Sequence, residues 1–161
     1  MGTIINMSLA DILKPEGVIS NLKARGKKQA LQELSAAASK LCGFDAQHIL
    51  DKLLARERLG TTGVGQGIAI PHAKFQEADK VMGLFARLDQ PIDFESVDER
   101  PVDLIFLLIA PEAGGAEHLR VLARVSRLLR NQELCTKLRG SRERAALYAL
   151  LTEPTASSSA A

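Results

Sequence analysis

The sequence has little aromatic material. Its 161 residues include no Trp, one Tyr and five Phe, so aromatic residues make up only 4% of the chain. Binding of single-stranded nucleic acid depends on aromatic side chains as stacking platforms. The chain also lacks a strong excess of either charge, since 21 Lys and Arg against 19 Asp and Glu give a formal net charge of +2. We therefore expect no nucleic acid as the main partner.

Cysteine and histidine are scarce as well. Cys42 and Cys135 are far apart and fall within helix-like patterns, which favours small buried apolar residues over a disulfide framework. The three histidines have no cysteine or carboxylate cluster at ligand spacing beside them. We predict neither a metal site nor a cofactor.

Long hydrophobic runs are missing too. No segment approaches the roughly 20 apolar residues that a transmembrane helix needs, and the N-terminus lacks the pattern of a signal peptide. We expect a cytoplasmic protein without membrane insertion. With 46% hydrophobic residues, the chain suffices for one domain, predicted over residues 1–151, followed by a disordered Ser/Ala-rich tail over 152–161.

The sequence does contain helical and strand-like segments in alternation. Helices are predicted from Ser8 to before Pro15 and over 27–41, 46–58, 117–130, 132–138 and 142–151, with Asp45, Asn131 and Ser141 as caps. Strands are predicted over 18–22, 67–70, 81–88 and 102–109. The last strand is almost continuously apolar, which is typical of a strand covered on both faces. The pattern predicts an α/β fold, a three-layer sandwich with a central mixed sheet flanked by helices.

A glycine-rich segment over residues 60–72, GTTGVGQGIAIPH, is the most informative part of the chain. It places His72 where a predicted strand ends, and a neutral imidazole is available at ordinary pH as a nucleophile. Gly63, Gly65 and Gly67 either let the backbone approach a ligand closely or only build turns. The segment leads into a strand and lacks Gly-Lys-Ser/Thr, so it is neither a dinucleotide fingerprint nor a P-loop.

Two further residues would converge on His72 under one condition. His118 lies in the first turn of a predicted helix that follows the strand 102–109, and helix starts and strand ends are where α/β folds place their sites. If the two strands are parallel neighbours, both imidazoles would reach one anion, and Arg56 would add a guanidinium suited to phosphate. Taken alone, Arg56 is a solvated charge at a helix end, and we interpret His48 as a surface residue.

Four arginines fall at helical spacing: Arg120, Arg124, Arg127 and Arg130. They form either a solvated face opposite the apolar face of the helix or a docking surface for an acidic partner or nucleic acid. We favour the solvated face over nucleic-acid binding and leave a protein partner open.

Residues 56–72, RERLGTTGVGQGIAIPH, resemble the active-site signature of the IIA proteins of the mannitol/fructose class in the bacterial phosphotransferase system. The likeness continues through residues 91–94, 101–108 and 117–119 and is strongest to the nitrogen-regulatory branch of the class. It implies a mixed α/β sandwich of the mannitol/fructose IIA type. It also implies that His72 is phosphorylated on Nε2, with His118 and Arg56 as the other active-site residues. Ala73 departs from the pattern, which often has Gly after the histidine.

The resemblance implies a function as a phosphocarrier and regulator. His72 would accept a phosphoryl group from an HPr-like histidine phosphocarrier, with the glycines at 63, 65 and 67 supporting the phosphate loop, and the phosphorylation state would control binding to target proteins. The protein would be a phosphohistidine intermediate of the transferase class rather than a turnover catalyst. Weak homo-oligomerisation is left open. The alternative is a fructose- or mannitol-specific IIA component that passes phosphate to a IIB domain for carbohydrate uptake.

Overall fold

A computed structural model of the protein describes residues 8–153. The predictions for residues 1–7 and for 154–161, which include most of the expected tail, lie outside the described residues. The elements in chain order are a 3-10 turn (Leu9–Asp11), β1 (Leu13–Ile19), α1 (Lys27–Cys42), α2 (Ala46–Arg58), β2 (Gly63–Gly65), β3 (Ile68–Ala69), β4 (His72–Phe75), β5 (Met82–Ile92), β6 (Val102–Pro111), α3 (Gly115–Leu129), α4 (Gln132–Arg139) and α5 (Arg144–Thr152).

The strands form one mixed sheet in the order β1-β5-β6-β3-β2, and β4 also pairs with β6. The pairs β1–β5, β3–β6 and β4–β6 are parallel, whereas β5–β6 and β2–β3 are antiparallel. The short strands β3 and β4 lie one after the other along the same side of β6. Strand β6 is therefore the centre on which the other elements are assembled.

The sheet separates two hydrophobic cores. Leu104, Phe106 and Leu108 of β6 pack on one face with apolar residues of α3, α4 and α5. Ile105 and Leu107 pack on the opposite face with apolar residues of α1 and α2. Both faces of β6 are thus buried, as its continuous apolar run predicts. The three-layer sandwich and the mixed sheet are confirmed.

The first strand differs from its prediction. The sequence suggests a strand over 18–22, but β1 spans Leu13–Ile19 and runs through Pro15. Pro15 is exposed on an edge strand, and the register with β5 is irregular between Leu13 and Val18. An edge strand tolerates a residue that has no N–H to donate. The helix predicted from Ser8 to before Pro15 was therefore wrong beyond the 3-10 turn Leu9–Asp11, because the chain is already extended from Leu13.

The helix starts and ends are mostly as predicted. The side chains of Ser8, Asp45 and Asn131 each accept a hydrogen bond from a backbone N–H in the first turn of the following helix. The predicted cap Ser141 is wrong, because its N–H donates to Leu138 O at the end of α4, and Glu143 precedes α5 without a side-chain cap. Helix α3 begins two residues before its prediction, and β5 extends four residues beyond it.

The two cysteines are free and differ in burial. Cys135 is buried in the core between α3 and α4, as predicted, whereas Cys42 at the end of α1 is only half-buried. Within residues 8–153, none of the helices combines the length and the apolar composition that a membrane span requires.

The packing at Gly83 in β5 gives a test of the central sheet. A Cβ at this position would lie 2.7 Å from Cε1 of Phe106, whose ring is buried inside the core. We expect Gly83→Ala to lower the free energy of unfolding by about 1–3 kcal/mol, the usual cost of overpacking. The matched control is Gly115→Ala, where nothing lies within 4 Å. Urea denaturation of both variants checks the prediction, and equal stabilities would contradict it.

Candidate functional site

His72 is the first residue of β4 and faces the C-terminal part of β6. It lies in register with Leu108, whose N–H donates to Pro71 O at 2.9 Å. The sequence places His72 after a strand, and the structure shows a break at Ile70 and Pro71 followed by a new strand that was not predicted. His72 pairs with Leu108, near the C-terminal end of β6, so the histidine lies at the end of the sheet at which β6 terminates.

The orientation of the His72 ring is set by a backbone carbonyl two residues earlier in the chain. Nδ1 lies 2.8 Å from the carbonyl oxygen of Ile70. A carbonyl oxygen only accepts hydrogen bonds, so in the neutral ring Nδ1 carries the proton and Nε2 carries the lone pair. The ring is half-buried. The atom that is free to react is therefore Nε2.

His118 meets His72 at this edge. Strand β6 continues through residues 112–114 into α3, and His118 lies in the first turn of that helix. The centroids of the two rings are 5.5 Å apart with an angle of 49° between their planes. His118 is only 4% exposed, and its Nδ1 has no hydrogen-bond partner among the described residues. The condition set by the sequence is met, since the two strands are parallel neighbours.

Arg56 comes to the same place from α2. It lies in the last turn of the helix, and Nη1 donates to Gly60 O at 2.8 Å. Arg56 also lies close enough to His72 for its charge to act on the imidazole. The structure thus brings together the three predicted residues from α2, β4 and α3.

Burial keeps both imidazoles uncharged. Desolvation is the main cause that lowers the pKa of His72, while its contact with Ile70 O partly restores the pKa and the charge of Arg56 lowers it further. The pKa of His118 is lowered by desolvation, then by the proximity of His72 and of Lys74. At neutral pH both rings are neutral. The pair therefore offers a nucleophilic nitrogen beside a second group that is able to take up a proton.

The three glycines of the loop are surrounded by protein groups. A Cβ on Gly63 would collide with Ser96, and one on Gly67, where φ is 83°, would lie 2.6 Å from the Arg139 side chain. Gly65 has a φ of 106° beside the carboxylate of Asp98. The glycines let the β2–β3 hairpin pack closely against these side chains. Their support of a bound phosphate stays a prediction.

Two charged residues near His72 were missed by the sequence reasoning. Lys74 is exposed and lies two residues after His72 in β4, so strand alternation places both on one face of the sheet. Its charge acts on both histidines. Glu57 follows Arg56 and also acts on His72. Alternation identifies Lys74 only once β4 is known to be a strand, and the contacts of Glu57 depend on the folded loop.

The other candidates stay apart from this site. His48 is partly exposed, and its Nε2 lies 3.0 Å from the Glu77 carboxylate, which agrees with its interpretation as a surface residue. The arginines of α3 are all exposed and make no ion pair within residues 8–153. Within the same residues, no three His, Cys, Asp or Glu side chains are placed to hold a metal ion.

Comparison with known proteins gives a consistent result. Residues 11–153 match the family model described as "Phosphoenolpyruvate-dependent sugar phosphotransferase system, EIIA 2". A nitrogen regulatory protein of Bradyrhizobium diazoefficiens is 54% identical over 150 residues, covering 93% of this chain and 98% of the relative. A fructose-specific EIIA component of Haloferax volcanii is 35% identical, covering 95% of each chain.

A solved structure supports the same assignment. The crystal structure of the nitrogen regulatory protein IIA-Ntr from Neisseria meningitidis superposes with a TM-score of 0.85 at 30% identity. It covers 89% of this chain and 99% of that chain. The similarity therefore extends over most of this chain and nearly all of the solved one.

The lowered pKa values of His72 and His118 predict how stability depends on pH. The unfolded chain takes up protons near pH 6.5, before the folded protein does, so the free energy of unfolding decreases as the pH falls below about 6.5. Above that pH the two groups contribute no pH dependence. Urea denaturation at pH 7.5 and 5.5 should therefore show a smaller decrease for His72→Gln/His118→Gln than for the wild type.

The control for this experiment is Gly83→Ala, which lowers stability but keeps both histidines. It should lose as much stability between the two pH values as the wild type does. A decrease of the same size in the double histidine variant would contradict the prediction.

Proposed function

The chain belongs to the EIIA 2 family of the phosphoenolpyruvate-dependent sugar phosphotransferase system, and from this premise we propose that His72 accepts a phosphoryl group on Nε2 in a protein of the nitrogen-regulatory kind. One observation carries the proposal. The contact between His72 Nδ1 and Ile70 O leaves the Nε2 lone pair free beside His118 and Arg56.

The chemical step is an exchange between two imidazoles. The Nε2 lone pair of His72 attacks phosphorus in the phosphohistidine of the donor, and the donor N–P bond breaks with its electron pair returning to the donor ring. The proton on His72 Nδ1 stays in place. One phosphoramidate replaces another, so the step is close to thermoneutral and reversible. The protein contributes positioning and charge, because the transferred group passes through a loose transition state.

The neighbours of His72 have distinct roles in this step. The guanidinium of Arg56 is suited to bidentate contact with phosphoryl oxygens. His118 is neutral before transfer, and the incoming negative charge raises its pKa, so it takes up a proton and donates a hydrogen bond to the phosphoryl group. Lys74 adds a further positive charge at the exposed side of the site.

The reversible charge on His72 suits a regulatory switch. Phosphorylation replaces a neutral ring by a group with about two negative charges on the protein surface. The donor is an HPr-like histidine phosphocarrier, and target proteins distinguish the two forms by this charge. Because both hydrophobic cores share one sheet, we propose that the phosphorylated unit is a single domain. We place this domain in the cytoplasm together with its donor. The exposed arginine face of α3 begins two residues after His118 in the sequence and is available to an acidic partner.

The alternative is a sugar-specific component. The fructose-specific EIIA relative from Haloferax volcanii shares the family, and such a component would pass its phosphoryl group to a IIB domain. The phosphorylated protein should be incubated with a purified fructose or mannitol IIB domain. We expect it to keep its phosphate, whereas rapid dephosphorylation would favour the transport role. Tight binding of DNA or RNA that is sensitive to salt and unchanged by His72→Ala would instead indicate a nucleic-acid module.

The relay itself is tested by intact-mass analysis after incubation with phosphoenolpyruvate, enzyme I and an HPr-like carrier. The wild type should gain one acid-labile phosphoryl group, and His72→Ala should gain none. The matched control is His48→Ala, which removes a histidine outside the site and should be phosphorylated like the wild type. Phosphorylation of His72→Ala, or no mass shift in the wild type, would contradict the proposal.

A further inference from the structure

Glu57 is a buried carboxylate directly beside Arg56. Its side chain is only 5% exposed. One oxygen accepts a hydrogen bond from the backbone N–H of Thr62 at 3.0 Å, and the other accepts a hydrogen bond from the Thr62 hydroxyl. Lys27 forms an ion pair with the same carboxylate at 2.9 Å. Glu57 therefore ties the end of α2 to the start of both α1 and the glycine loop.

The Glu57 carboxylate is the main ion-pair partner of Lys27. Its side chain is 15% exposed and lies over the ring of Phe94 at 5.0 Å. Its other ion-pair partner, Glu95, is 74% exposed, and pairs with such solvated groups contribute little. Burial of a lysine and a glutamate requires that each satisfies the other. The Lys27–Glu57 pair thus fixes the carboxylate in one position.

A short series of hydrogen bonds leads from Glu57 to the His72 ring. Glu57 holds the N–H of Thr62, the carbonyl oxygen of Thr62 accepts from Ile70 N at 3.0 Å, and the carbonyl oxygen of Ile70 contacts His72 Nδ1 at 2.8 Å. The last contact determines which nitrogen carries the lone pair. A shift of Thr62 would move the Ile70 peptide and with it the orientation of the ring.

We propose that Glu57 is a positioning residue for phosphoryl transfer, acting through Thr62 and Ile70 to hold the His72 ring with Nε2 free. The statement rests on the proposed function of His72. It extends that function by adding a group that touches neither the phosphoryl donor nor the reacting atoms.

The negative charge of Glu57 also favours transfer, because it raises the pKa of His72. The groups that face His72 are Arg56, Glu57, Lys74 and His118. Burial is the main cause that lowers the pKa of His72, and the cations lower it further, whereas Glu57 raises it. A more basic ring is a better nucleophile. Glu57 therefore limits the loss of basicity that burial imposes.

The structure offers a matched control at the opposite end of the same loop. The Arg139 guanidinium is bound by the Asp103 carboxylate at 2.8 Å and donates to Gln66 O at 2.9 Å. This pair also anchors the loop, but no hydrogen bond connects Gln66 to the His72 ring among the contacts of the described residues. Asp103→Ala thus removes a loop anchor without reaching His72 through the Ile70 carbonyl.

The experiment compares Glu57→Ala, Glu57→Gln, Thr62→Val and Asp103→Ala. The first readout is the ¹⁵N chemical shifts of the His72 ring in the unphosphorylated protein, which report its tautomer. The second is the initial rate of phosphoryl transfer from a phosphorylated HPr-like carrier, at saturating and at low carrier concentration. The tautomer readout is independent of any transfer. A wild type that is not phosphorylated would therefore contradict the proposed function, while an unchanged tautomer in Glu57→Ala would still overturn the role of Glu57.

We expect Glu57→Ala to reduce the transfer rate at saturating carrier by about 10- to 100-fold, with little change in KM, because small displacements of a reacting group have effects of this size. The population of the tautomer with a free Nε2 should fall in the same variant. Glu57→Gln keeps an oxygen acceptor for Thr62 N–H, so it should restore the tautomer and most of the rate while the pKa of His72 falls below that of the wild type.

Two further variants make the outcome decisive. Thr62→Val removes only the hydroxyl contact with Glu57, so it should slow transfer less than Glu57→Ala does. If Glu57→Ala does not fold, Thr62→Val is tested in its place. Asp103→Ala should keep the wild-type tautomer and rate despite its lost ion pair. A wild-type rate in Glu57→Ala, or in Thr62→Val where Glu57→Ala does not fold, would overturn the proposal. Equal slowing by Asp103→Ala would overturn it as well.

Discussion

The parallel pairing of residues 68–75 with β6 is the constraint on which the site depends. Strands β3 and β4 follow one another along this strand, so the break at Pro71 places His72 beside Leu108, close to the point where β6 ends. The chain then turns within a few residues into α3 and brings His118 back to the same edge. Because both faces of β6 are buried in the two cores, the distance between the histidines is set by the rigid centre of the protein.

On this rigid base, burial and the neighbouring charges together set the pKa of the His72 ring. Burial keeps the His72 ring neutral, which a nucleophile requires, and it also makes the ring less basic. In the proposed function Arg56 contacts the incoming phosphoryl group, and the neighbouring Glu57 offsets part of the effect of that cation on the pKa of the ring. His118 stays neutral until negative charge arrives. Under the proposed function, the same few groups favour the acceptance of a phosphoryl group and do not prevent its release.

Much of this arrangement could be predicted from the sequence, and the remainder depends on long-range pairing. The apolar run of β6, the caps Asp45 and Asn131 and the motif that ends in His72 are local signals. Strand β4 is too short to stand out as a pattern, and Pro15 is compatible with β1 only because that strand lies at the sheet edge. The contacts of Glu57 with Lys27 and Thr62 join three separate segments of the chain, so no spacing in the sequence predicts them.

The most direct test of the account is the position of the phosphoryl group on the imidazole ring. Protein labelled with ¹⁵N in its histidines should be phosphorylated by an HPr-like carrier and examined by ³¹P and ¹⁵N NMR. We expect a single phosphohistidine, His72, with phosphorus coupled to Nε2 and a proton retained on Nδ1 by Ile70 O. Phosphorus on Nδ1 of His72, or on His118 or His48, would contradict it.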